Sequence, residues 1–233
     1  MDAANLFNVK VSNEALSFSI PKTHKPIGQS RSCYRRRKGN WPHRISEGFV
    51  ANGAKVYISS RDAKACEAAC KELNALGRGS AHAIPADFYK LEDCKRMVDE
   101  LQKKESKLHI LVNNSGSNWG APYAEFPDAA WTRVLTLNLT RVFTLTQALT
   151  PLMEAASTPE DPARIINIGS VDGIRVPSLE TFSYSASKAG LHQLSRVLAN
   201  HLGKRNITSN VLACGPFESK MMAATLKNFK DEI

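Results

Sequence analysis

No stretch of this 233-residue chain approaches the roughly 18 consecutive apolar residues that a membrane span needs. The amino terminus, MDAANLFNVK, lacks the basic start and apolar core of a secretory signal. The carboxyl end, KDEI, carries no lipidation motif. These absences lead us to expect a cytosolic protein with no membrane partner. Cysteine is scarce: five residues, at positions 33, 66, 70, 94 and 214, with no CxxC pair and no histidine cluster at metal-ligand spacing. An odd, unpaired set suits a reducing compartment, so neither a disulfide nor a metal is expected.

The chain has little acid to balance its base, and carries a formal charge of +9. The excess is local. Residues 1–45 carry +7 and the remainder only +2, with Arg35, Arg36, Arg37 and Lys38 at the centre of the cluster. Such a run can contact nucleic acid. A charge confined to one irregular segment argues against that role, and no nucleic-acid partner is expected.

From Ile45 onward the pattern is regular. Strands are expected at Lys55–Ser59, Ala81–Ala86, His109–Asn113, Arg164–Ser170 and Thr208–Leu212. Helices are expected at Ala63–Leu76, Leu91–Lys104, Ala129–Met153 and Ser183–Leu202. This alternation predicts βαβ units in an α/β, Rossmann-type doubly wound parallel sheet. Ligands of such sheets bind beyond the carboxyl ends of the strands. Residues 11–44 have no period, and the segment 1–44 is expected to be disordered, with the domain occupying 45–233.

The polar residues after the strands carry the chemical signal. Tyr184 and Lys188 stand four apart at the start of a long helix, hence on one face. A lysine ammonium one turn away is expected to lower the phenol pKa and make it a usable acid/base. Ser170 ends a strand fourteen residues earlier, where its hydroxyl can hold a carbonyl oxygen. Asn113-Asn114-Ser115-Gly116 ends the strand before that, Asn138 lies in TLNLT, and Gly215-Pro216 follows the last strand.

These motifs, in this order, resemble the classical short-chain dehydrogenase/reductase family over residues 45–231. NNSG looks like its NNAG, GS at 169–170 and YSASK carry its serine, tyrosine and lysine, and CGPFES at 214–219 is similar to its PGxxxT segment, with Cys214 for the proline and Ser219 for the threonine. The resemblance implies Tyr184 as general acid/base and Lys188 as its tuner and ribose ligand. It implies Ser170 as substrate-orienting hydroxyl and Asn138 as support for a water relay. It also implies cofactor contacts at Asn114, Gly116, Gly215, Ser219 and Asp87, and a homo-oligomer. An acidic residue after the KVYIS strand would favour NAD. Ser60 and Arg61 stand there instead, and a guanidinium suits a 2′-phosphate. Asp62 is assigned to capping the next helix. NADP is therefore expected over NAD, with a small carbonyl or hydroxyl compound as substrate, most like the 3-oxoacyl-carrier-protein reductase branch. The alternative is a remnant or binding protein that keeps the acid/base residues but lacks cofactor.

The family's glycine-rich turn, TGxxxGxG, is missing where it should precede ISEGFVANGAKVYIS. The stretch YRRRKGNWPH can be encoded as TAC CGG CGG CGG AAA GGG AAT TGG CCA CAT. Read one base later, it gives TGGGKGIGH. GQSRSC shifts likewise to GKVAVV, the family's first strand. Val11-Ser12 admits a splice donor and Ile27-Gly28 an acceptor, enclosing about 52 nucleotides, the seventeen codons of residues 11–27 plus one base. That length is not divisible by three. Residues 11–27 therefore read as a translated intron and residues 28–43 as an exon in the wrong frame. The chain also stops about a strand and a helix short of the family's usual length. The expectation is a sheet incomplete at its first and last strands and a chain that binds NADP poorly.

Overall fold

The computed structural model describes residues 7–11 and 41–215. Six strands form one sheet: β1 (Phe7–Val11), β2 (Lys55–Ser59), β3 (Ser80–Ala83), β4 (Ile110–Asn113), β5 (Ala163–Ile168) and β6 (Ile207–Leu212), in the spatial order β3-β2-β1-β4-β5-β6. β2 pairs parallel with β3, β4 with β5, and β5 with β6. The helices are α1 (Trp41–Ala51), α2 (Ala63–Asn74), α3 (Leu91–Lys104), α4 (Asp128–Leu135), α5 (Arg141–Ala156) and α6 (Phe182–Leu202).

Local chemistry explains the elements. Asp62 caps α2 by accepting the Ala65 N–H at 2.9 Å, as its position predicts. Cys66, Ala69, Cys70 and Leu73 give α2 one buried face at helical spacing, and Cys94, Met97, Val98 and Leu101 do the same for α3. α3 opens with Glu92 and Asp93 and closes with Lys103 and Lys104, signs that suit its dipole. β4 is buried along its whole length. Leu111 joins the core of α3 and α5, whereas Ile110 and Val112 pack with Ile168 against Ile45 and Phe49. Alternation along one strand thus serves helices on both faces, as a doubly wound sheet requires.

The first strand is the main departure from expectation. The central slot is filled, but by Phe7–Val11, which runs antiparallel to both neighbours. Phe7 pairs with Ser59 and Val11 with Lys55. β1 therefore starts at the carboxyl edge of the parallel strands and leaves at the opposite edge. The physical reason is the slot itself. β2 and β4 are buried, and their inward N–H and C=O groups need a strand between them. FNVKV is short enough, and apolar enough at alternate positions, to supply one. Helical structure also begins before the expected boundary, with α1 running from Trp41. The expected strand at Ala81–Ala86 shortens to Ser80–Ala83. The single helix expected over Ala129–Met153 is α4 and α5 joined by a π turn at Thr136–Thr140. Among the described residues β6 forms one edge of the sheet.

Val9 pairs with both Tyr57 and Leu111, so Val9→Pro removes an N–H from the centre of the sheet. We expect a loss of about 1–3 kcal/mol in urea unfolding. An unchanged midpoint would show that this strand does not fill the slot.

Candidate active site

The carboxyl ends of β4, β5 and β6 face the first turns of α6, and the predicted residues meet there. Ser170 follows β5, and its hydroxyl accepts the Asp172 N–H at 3.1 Å, which starts the short 3-10 turn Val171–Gly173. The same hydroxyl acts on the Tyr184 phenol and favours its ionised form. Lys188, one turn along α6, is 5 % exposed. Its ammonium donates to the Ile168 carbonyl at 2.7 Å and stands 5.6 Å from the centre of the Tyr184 ring. Gly173 lets this turn lie on α6. A Cβ there would come within 2.8 Å of the Ala189 N and Lys188 C atoms, which are backbone and cannot yield.

Asn138 lies in the π turn and is fully buried. Its Oδ1 accepts the Ser117 N–H at 2.8 Å, and its Nδ2 donates to Ser117 O and Ser187 Oγ, both at 2.9 Å. The π turn rotates Asn138 inward to make these contacts, in keeping with the frequent placement of such turns at functional sites. Asn138 thus ties the loop after β4 to α6. Gly116 lies in that loop, and a Cβ on it would stand 3.3 Å from Asn138 Oδ1 and 3.7 Å from Lys188 Nζ. Asn138 and Lys188 therefore border the same small space.

The electrostatics differ from the sequence expectation. Burial pushes the Tyr184 phenol above its ordinary value, against the opposing hydrogen bond from Ser170, and Asp172 adds to the rise. The Lys188 ammonium is directed at Ile168 O. Burial lowers the Lys188 pKa to about 8, with Cys214 opposing the shift. Burial raises the Cys214 thiol, with Lys188 pulling it back.

The family model for short chain dehydrogenase matches residues 42–229. The chain belongs to that family. It is 43 % identical over 177 residues to the rhamnolipids biosynthesis 3-oxoacyl-[acyl-carrier-protein] reductase of Pseudomonas aeruginosa, covering 76 % of this chain and 68 % of that protein. It is 29 % identical over 184 residues to the 5-keto-D-gluconate 5-reductase of Escherichia coli K12, covering 79 % and 70 %. A solved active-site complex of Pseudomonas aeruginosa RhlG with NADP superposes with a TM-score of 0.76 at 41 % identity, covering 80 % of this chain and 72 % of that one. The protein is an oxidoreductase of this family with its Rossmann-type fold.

The other predicted residues lie around the same sheet edge. Arg61 is exposed just after β2. Beside it the Ser60 hydroxyl is buried, accepts the Asp62 N–H at 3.3 Å and lies 3.2 Å from Cys66 Sγ. Asp87 accepts the Tyr89 N–H at 3.1 Å, so its carboxylate shapes the turn before α3. Asn114 is half-buried in the loop after β4, and Gly215 is exposed beyond β6. Ser219 lies outside the described residues, as do Arg35 to Lys38. Sequence reasoning missed Ser117, Ser187 and His192, although His192 stands at the same four-residue spacing beyond Lys188. Among the described residues no three His, Cys, Asp or Glu side chains gather to hold a metal ion, and no helix is long and apolar enough to cross a membrane.

Lys188 yields a stability test. Its folded pKa of about 8 lies below the ordinary 10.5, so between these values the unfolded chain binds more protons. The contribution of Lys188 to stability therefore rises with pH across that window and is a constant penalty below it. Lys188→Met removes the penalty. We expect K188M to exceed wild type at pH 7 by on the order of 2–3 kcal/mol in urea unfolding, with the gap closing toward pH 10.5. A gap that stays constant with pH would refute this account.

Proposed function

We propose that this protein interconverts a ketone and a secondary alcohol with NADP. The observation that carries the reading is the gathering of Ser170, Tyr184 and Lys188 at the end of β5. The chemistry of the donor set supports a nicotinamide cofactor. Asn113 Oδ1, Ser115 Oγ and Ser117 Oγ are buried in and beyond β4 without a partner among the described residues. Gly116 leaves space beside Lys188, whose ammonium carries more donors than its one bond to Ile168 uses. Asn114, Gly116, Tyr184 and Lys188 would hold the nicotinamide and its ribose, with Gly215 and Ser219 above them, Asp87 toward the adenine and Arg61 on a 2′-phosphate.

The bound cofactor supplies or takes the hydride. Ser170 would orient the carbonyl oxygen, and the Tyr184 phenol would give that oxygen its proton as it becomes an alcohol. In the reverse direction Tyr184 takes the proton back. A buried phenol with a raised pKa holds its proton at neutral pH, the form that reduction of a carbonyl requires. Lys188 would complete the proton path, and Asn138 holds the loop that faces it. The pyrophosphate end is the weak one, because β1 leaves at the opposite edge of the sheet. A small carbonyl or hydroxyl substrate, a cytosolic location and no nucleic-acid partner complete the reading.

Purified protein assayed against β-keto thioesters, quinones and keto sugars should oxidise NADPH faster than NADH, with weak NADPH saturation. Tyr184→Phe should lower kcat by about 10²–10⁴-fold. Turnover unaffected by Y184F would refute the assignment of Tyr184.

We propose further that residues 11–27 are a translated intron and residues 28–43 an exon in the wrong frame. What supports this is the antiparallel Phe7–Val11 in the place where the family's first strand runs parallel to its neighbours. Transcript sequencing should yield an mRNA lacking about 52 bases and encoding TGGGKGIGH. A transcript that retains those bases and encodes RRRKGNWPH would overturn the proposal.

A further inference from the structure

The backbone after β5 is held on two sides. Gly169 N–H donates to Leu212 O at 2.9 Å and Val171 N–H to Cys214 O at 3.0 Å, so both are tied to β6 and its extension. The Ser170 N–H between them goes elsewhere and donates to His192 Nε2 at 3.4 Å. His192 is 6 % exposed. It lies two turns beyond Tyr184 and one beyond Lys188 on α6. The fold makes room for its ring at one position: a Cβ on Gly169 would come 2.3 Å from Nε2 and 2.5 Å from Val211 Cγ1. Glycine at 169 and histidine at 192 are thus fitted to one another.

We propose that His192 is a positioning residue, whose Nε2 holds the Ser170 N–H and so fixes the Ser170 hydroxyl against Tyr184. The role of Ser170 in this statement rests on the oxidoreductase reading above. The hydrogen bond requires the neutral ring with its proton on Nδ1, since the imidazolium has no acceptor. The charged neighbours are Lys188 and Arg196, on the turns before and after, while the ends of β5 and β6 bring Gly169 and Val211, which do not titrate. Burial first, then Arg196 and Lys188, lowers the imidazole pKa, so the acceptor persists at neutral pH. Acid removes it, which adds a histidine-dependent fall to the low-pH side of the rate profile.

Two substitutions separate positioning from packing. His192→Leu fills the space without an acceptor. His192→Gln can present a carbonyl oxygen to the same N–H and does not titrate. In ¹⁵N-resolved spectra at pH 7 the wild-type ring should show Nδ1 protonated and Nε2 unprotonated. The Ser170 amide resonance should move in H192L and stay near its wild-type position in H192Q. In ketone reduction, H192L should lose about tenfold in kcat with KM for NADPH unchanged, the scale of one ordinary hydrogen bond. H192Q should keep most of the rate and lose the acid-side fall. A Ser170 amide unmoved in H192L, or a ring protonated on Nε2, overturns the hydrogen bond. Wild-type kcat and pH profile in H192L overturn its functional role. A wild type that turns over no ketone overturns the oxidoreductase reading instead, and the spectra still decide the hydrogen bond.

Discussion

Lys188 is an ammonium group held where water scarcely reaches, 5 % exposed and bonded to the Ile168 carbonyl. Burying a cation is unfavourable unless its protons find acceptors. The surrounding fold is arranged around that demand. β5 ends at Ile168 so that a carbonyl meets Nζ, and the 3-10 turn at Val171–Gly173 closes over α6 because Gly173 has no Cβ to strike the Lys188 backbone. Gly116 keeps the loop after β4 low enough for Lys188 and Asn138 to face the same space. Glycines at two places, with one backbone carbonyl, convert a sequence spacing into a site.

The same burial sets the proton chemistry. The phenol of Tyr184 rises and the ammonium of Lys188 falls, both chiefly through loss of water. The neighbouring pair was expected to act by charge alone, with the lysine pulling the tyrosine down. In the folded protein burial is the largest influence on the phenol, and the lysine directs its hydrogen bond at the backbone. The resulting phenol holds its proton until an oxygen that needs it is present.

The central strand shows a different balance. A strand buried between two others must satisfy backbone groups on both its edges, and either polarity does so. Phe7–Val11 fills the slot antiparallel. Backbone pairing is thereby satisfied, but the chain leaves β1 at the edge remote from Ser170, Tyr184 and Lys188. A sheet can thus fill all its slots in the order β3-β2-β1-β4-β5-β6 while its central strand runs against its neighbours.

By itself the sequence determined the α/β alternation, the four polar residues Asn138, Ser170, Tyr184 and Lys188, and the capping role of Asp62. Those features depend on short-range spacing, which a strand or helix translates directly into position. The tertiary structure decided the polarity of β1, the inward turn of Ser60, the π turn that aims Asn138 at Ser117, and the meeting of His192 with Ser170. Each of these depends on residues far apart in the chain competing for one buried hydrogen-bond partner or one small space, and no local spacing carries that information. The acid/base residues were legible because they lie on two adjacent elements. Their electrostatics were not, because burial is a property of the whole fold.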